Sequence, residues 1–154
     1  MTHFTFIPTS DTSELSEDIR QLFSELAAAL PADRRVHSGE CHPSLDVRET
    51  EEAFEILVDV VGVQPDAIRV LFRDDVVVIA GEKAPVRPSV ARTFHLVERE
   101  FGRFARAVRL SGAFDVQRGR AILADGELRV SLPKIDDRRG RALRIPVTGP
   151  EGTR

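Results

Sequence analysis

Apolar residues recur along this chain at two different spacings. At Leu15, Ile19, Leu22, Phe23, Leu26 and Leu30 they fall three or four apart, whereas beyond Leu45 they gather in short runs that alternate with polar residues or are apolar throughout. The first spacing lays one apolar stripe along a helix, with Glu14, Asp18, Gln21 and Glu25 largely off it. Asp11 or Ser13 can cap its start, Glu14 and Glu17 suit its first turns, and Pro31 ends it. A helix of about 17 residues is marginal alone in water. Its stripe therefore needs a cover, on the chain's own domain, another copy or an apolar partner, and the helix is expected to be ordered only by partners.

The later runs predict strands. Leu45-Asp46-Val47-Arg48-Glu49-Thr50 alternates and passes through the acidic turn Glu51-Glu52 into residues 54–61, which makes a hairpin or meander. Gly62-Val63-Gln64-Pro65-Asp66 connects to a strand over residues 68–72. Arg73-Asp74-Asp75 is then a tight turn before residues 76–83, whose β-branched density marks the surest strand. After a loop holding Pro85 and Pro88, residues 93–96 are a short-strand candidate within a long excursion. Residues 101–110 mix arginine with apolar positions, which predicts a basic face. Residues 120–124 and 127–132 flank Asp125-Gly126, a primed-turn pair, and form the last hairpin. Many short strands with no helix between them indicate an antiparallel sandwich.

Beyond it lies an isolated apolar-Pro-apolar triplet, Ile145-Pro146-Val147, reached through the tether Asp136-Asp137-Arg138-Arg139-Gly140-Arg141. In extended backbone, residues two apart point to the same side, so Ile145 and Val147 form a two-pronged plug stiffened by Pro146. Flanks this polar cannot build a core, so the socket must lie on the preceding domain or on another copy of it. The residues between Pro133 and Ile145 can span about 36 Å when extended.

Composition narrows the chemistry. A chain of 154 residues holds one domain plus arms, divided here into an N-terminal arm over 1–43, a sandwich over 44–134 and a C-terminal extension over 135–154. A single cysteine, Cys41, cannot form an internal disulfide. With no apolar run of membrane-spanning length and no signal peptide, a reducing cytoplasm is expected. A net charge of −3 argues against nucleic acid as the main partner. Of the charged clusters, Arg99, Arg103, Arg106 and Arg109 are the one to weigh as a binding surface, and with Glu98 and Glu100 beside them a solvated or ion-paired face at a subunit contact is favoured over nucleic-acid binding. His37, Cys41 and His42 lack a second ligand pair, so no metal or other cofactor is expected. No serine, cysteine or carboxylate stands in a catalytic motif, and no enzyme activity is expected.

The ordered set Asp46-Val47-Arg48-Glu49-Thr50, Asp59-Val60-Val61-Gly62-Val63, Ile79-Ala80-Gly81-Glu82-Lys83, Glu98-Arg99-Glu100-Phe101-Gly102-Arg103-Phe104, Ala121-Ile122-Leu123-Ala124-Asp125-Gly126-Glu127-Leu128 and Leu132-Pro133-Lys134, closed by Ile145-Pro146-Val147, resembles the α-crystallin domain of the small heat-shock proteins. The resemblance implies an all-β, immunoglobulin-like antiparallel sandwich with a helical N-terminal arm and a flexible C-terminal extension. It implies an ATP-independent holdase that binds partly unfolded client proteins and assembles into dimers and larger homo-oligomers, with neither membrane nor nucleic acid as partner. Strand exchange would bring Arg92, Thr93, Phe94, His95 and Leu96 against Leu45 and Val47 of a partner, with Arg106 at the dimer contact. The anchor would dock between Ile68, Val70, Phe72 and Ala121, Ile122, Leu123, strand parity leaving open whether Ile122 or Leu123 faces the groove. Phe4, Phe6, Leu22, Phe23 and Leu26 are the client-binding candidates. Val61, Ser111 and Glu127 depart from the family pattern. A different class of reading is a β-sandwich co-chaperone or adaptor that binds one folded partner.

Overall fold

The computed structural model describes residues 12–35, 39–85 and 90–135. Ile145, Pro146 and Val147, together with Phe4, Phe6 and His37, lie outside the described residues. Helix α1 (Thr12–Ala29) precedes β1 (Leu45–Glu49), β2 (Ala53–Asp59), β3 (Ile68–Arg73), β4 (Val76–Lys83), β5 (Gly102–Arg109), β6 (Arg120–Ala124) and β7 (Glu127–Pro133). The strands form two antiparallel sheets, one in the order β1-β2-β7-β6 and one in the order β3-β4-β5.

Each strand carries its inner residues at alternate positions. Phe54, Ile56 and Val58 of β2 and Leu128, Val130 and Leu132 of β7 meet Val77 and Ile79 of β4 and Phe104 and Val108 of β5 in one core. The β6–β7 hairpin turns through Asp125 at φ 53° and Gly126 at φ 78°, the left-handed pair that a two-residue primed turn requires.

The two outer faces differ. Arg48 of β1 pairs with Glu55 of β2 at 2.5 Å on the outer face of the four-stranded sheet. The outer face of β3-β4-β5 is apolar, and α1 lies on it: Leu15 and Leu22 pack on Val76, Val78 and Ala80, with Ile19, Phe23, Leu71, Ala105 and Ala107 around them. Thus β4 is buried on both faces, as its unbroken β-branched run requires.

Three expectations are corrected. The helix is ordered by the chain's own domain and needs no partner for it, because Leu15 and Leu22 pack on the outer face of β3-β4-β5 while Leu26 and Leu30 join the main core. The arginines of β5 do not share one face. A period of two puts Arg103 and Arg109 outward, while Arg106 shares parity with the buried Phe104 and Val108. Finally, residues 93–96 are exposed and form no strand within the single chain, where no neighbouring strand completes a ladder.

Candidate functional site

Strands β3 and β6 are the ends of their respective sheets and lie on the same side of the sandwich. Between them runs a groove of about 370 Å³ lined by Val70, Phe72, Val77, Val116, Ala121, Val130 and Leu132 among others. Val70, Phe72 and Ala121 were legible as groove residues. Ile68 is instead closed into the core. Register settles the parity of β6: Ala121 opposes Val130 and Leu123 opposes Leu128, both inward partners, whereas Ile122 opposes the exposed Arg129. Ile122 therefore stands on the outer face, 57% exposed, and is corrected out of the groove. Leu123 faces inward and packs against the core without lining the groove. Sequence reasoning missed Val116, Val130 and Leu132. The alternation in β7 carried the signal for the last two, but Val116 sits in a 3-10 turn, Val116–Arg118, that Asp115 caps through the Gln117 and Arg118 amides.

A second set of candidates lies around β1 and β5. Among the described residues β1 has a neighbouring strand on one side only, and its Leu45 and Val47 face inward against the core. Arg92, Thr93, Phe94, His95 and Leu96 are all exposed. Phe94 is 74% and Leu96 73% exposed, beside Val90 at 70% and Val97 at 67%. Arg92, Phe94, Leu96, Val97 and Phe101 border a shallow cavity of about 210 Å³.

Arg106 is half-buried and donates from Nη1 to the Pro43 carbonyl at 2.6 Å. Burial pushes its guanidinium pKa below the ordinary value. Its carbonyl partner belongs to a strap that runs parallel alongside β5: the Cys41 amide donates to the Arg103 carbonyl at 3.0 Å, and the Arg103 amide to the Gly39 carbonyl at 3.1 Å. The other arginines of β5 are ion-paired, Arg103 with the buried Glu82 at 3.0 Å and Arg109 with Asp75 at 3.5 Å. The chain therefore satisfies its own basic positions.

The client-binding candidates divide. Leu22 is 6% and Leu26 0% exposed, so neither is open surface while α1 is docked, a correction that follows from the apolar cover beneath the helix. Phe23 is half-buried, with the Arg103 guanidinium 5.1 Å from its ring centroid. Among the described residues no group of three or more side chains is placed to hold a metal ion, and no helix is long and apolar enough to cross a membrane.

Sheets of four and three antiparallel strands, with residues 90–100 exposed between β4 and β5, define an α-crystallin-type sandwich. Residues 46–148 match the Hsp20/alpha crystallin family, and the chain belongs to that family. It is 32% identical over 109 residues to spore protein SP21 of Stigmatella aurantiaca, which covers 71% of this chain and 64% of that one, so the chain spans a little under two thirds of that relative. The solved structure of heat shock protein 16.0 from Schizosaccharomyces pombe superposes with a TM-score of 0.60 at 28% identity, covering 71% of this chain and all of that one (100%). A small heat-shock protein structure from Xylella fastidiosa gives 0.55 at 26% identity, covering 73% and 98%.

Proposed function

We propose that this chain is an ATP-independent holdase, which binds partly unfolded proteins and prevents their aggregation. It assembles into dimers by strand exchange and then into larger homo-oligomers. The observation that carries this reading is the exposure of Val90, Phe94, Leu96 and Val97, each 67% or more in water. Fully burying such a side chain is worth about 1.5–3 kcal/mol, so this segment favours a partner. Phe94 and Leu96 are two apart and share one side in extended backbone. A partner's β1, bare along one edge, offers both a ladder and the inward-facing Leu45 and Val47 to receive them.

Family membership supports the chaperone role, and the groove between β3 and β6 supports the assembly. Ile145 and Val147 would bury about 2–4 kcal/mol of apolar area there before ordering costs, so each latch is weak and exchangeable. Many weak latches give a stable but dynamic oligomer. Light scattering of a heat-labile protein, without ATP, tests the reading. Suppression near stoichiometric amounts is expected, and undiminished aggregation overturns it.

A further inference from the structure

The seat of α1 is built for a helix in general as much as for this one. Its floor is the apolar outer face of β3-β4-β5, and two arginines reach the middle of the helix. Arg73 donates from Nη2 to Asp18 Oδ1 at 2.7 Å, one turn after Leu15, and Arg103 lies over the Phe23 ring. Both side chains remain about half exposed, at 50% and 43%. The fit of α1 is incomplete at its first pin: Asp18 Oδ2 is buried and has no hydrogen-bond partner among the described residues. Such an oxygen weakens the seat. The rest of the hold is a stripe of residues spaced three and four apart, a pattern that any amphipathic helix presents, continued by Leu26 and Leu30, which reach the main core.

We infer that the outer face of β3-β4-β5 is a recognition surface for amphipathic helices of partly unfolded proteins, and that α1 occupies it as an internal competitor. The preferred ligand carries an apolar stripe like that of α1, an acid to meet Arg73 and, five residues later, an aromatic residue to lie under Arg103. The order of the ion pair and the cation–π contact along the helix orients it. Displacing α1 uncovers Leu71, Val76, Val78, Ala80, Ala105 and Ala107. The exposed 90–97 segment is not involved. This names the partner class of the proposed chaperone, but its test reads helix binding and not aggregation, so the two readings can fail separately.

The probe is a fluorescent peptide of unrelated sequence that keeps only the apolar positions of α1, the acid and the aromatic, titrated into the full chain by anisotropy. Saturable binding is expected, with photo-cross-links on β4 and β5. Asp18→Ala in the chain loosens α1, and the peptide should then bind about 2- to 5-fold more tightly, the scale of one partly exposed ion pair. Phe23→Ala releases the other pin, over which Arg103 lies, while leaving the Asp18–Arg73 pair in place, and should act in the same direction if Asp18→Ala does not fold. Replacing the peptide's acid with lysine should weaken binding. Equal binding of a scrambled peptide overturns the inference, as do cross-links confined to the β3–β6 groove or to residues 90–97. Binding only by a peptide of the α1 sequence also overturns it, since the surface would then serve a second copy of this chain.

Discussion

The ring of Phe104 fills the place that a side chain on Gly81 would need: a Cβ at Gly81 would lie 2.4 Å from Phe104 Cζ and 2.8 Å from the Ala67 carbonyl oxygen. The two residues face each other across β4 and β5, and Phe104 is 3% exposed. Gly81→Ala should therefore destabilise the sandwich by about 1–3 kcal/mol through overpacking. Phe104→Leu removes the nearest obstacle, although the Ala67 carbonyl remains. The double variant should lose less stability in urea denaturation than the two single losses added together. Strict additivity would show that ring and glycine are independent.

How far the sequence reaches depends on whether a feature is local. The run Val76-Val77-Val78-Ile79-Ala80 shows that β4 is buried on both faces, because a strand with one wet face would alternate. The stripe of α1 shows which residues share a side, but not what covers it, and so Leu22 and Leu26 read as open when they are closed. The groove required register as well as pattern. Ala121 and Ile122 look alike as neighbours in an apolar run until their partners Val130 and Arg129 are known. The strap was the least legible, since Cys41 meets Arg103 across a long stretch of sequence with no local signal at either end. Glu82 is 2% exposed, and nothing local in the sequence marks its burial; its partner Arg103 is brought opposite it only by the β4–β5 register.

The parity of β6 can be tested through assembly. Ala121 lines the groove and is small, so Ala121→Phe should obstruct an incoming Ile145–Val147 anchor and lower the oligomer mass in sedimentation. Ile122→Ser changes only the outer face, where a surface substitution stays within about 0.5 kcal/mol. It should leave the mass unchanged. Ile145→Ala combined with Val147→Ala should reproduce the Ala121→Phe mass, since both remove the same contact from opposite sides. A mass drop with Ile122→Ser and none with Ala121→Phe would reverse the assignment.

Acid should loosen the segment that follows α1. Arg34 grips Asp66 through two bonds, Nη2 to Oδ1 at 2.5 Å and Nη1 to Oδ2 at 2.8 Å. The hydrogen bonds from Arg34 hold the Asp66 carboxyl below its ordinary 3.8, against a weaker opposing effect of burial. A carboxyl lowered on folding adds stability above its unfolded pKa and loses it as pH falls through the folded value. The melting temperature of the wild type should exceed that of Asp66→Asn by a constant margin at neutral pH, roughly a few degrees at most for so exposed a pair. That margin should shrink only below about pH 4. A margin that shrank between pH 6 and 8 would assign the effect to another group.

The thiol of Cys41 reports on the strap. It is half-buried between the strap and β5, with Sγ 3.5 Å from the Gly102 carbonyl oxygen. Burial raises its pKa, and Glu100 adds to the rise while Lys83 opposes it. Because the thiolate is the reactive form, alkylation by iodoacetamide at pH 8 should run several-fold more slowly than in the urea-unfolded chain. The strap's close approach depends on Gly102, where a Cβ would fall 2.3 Å from the Gly39 carbonyl carbon and oxygen at a φ of +138°. Gly102→Ala must therefore lift residues 39–41 from β5, and the folded variant should alkylate at a rate approaching that of the unfolded chain. Circular dichroism of the variant checks whether the sandwich persists. An unchanged rate would mean that Cys41 is shielded by something other than the strap.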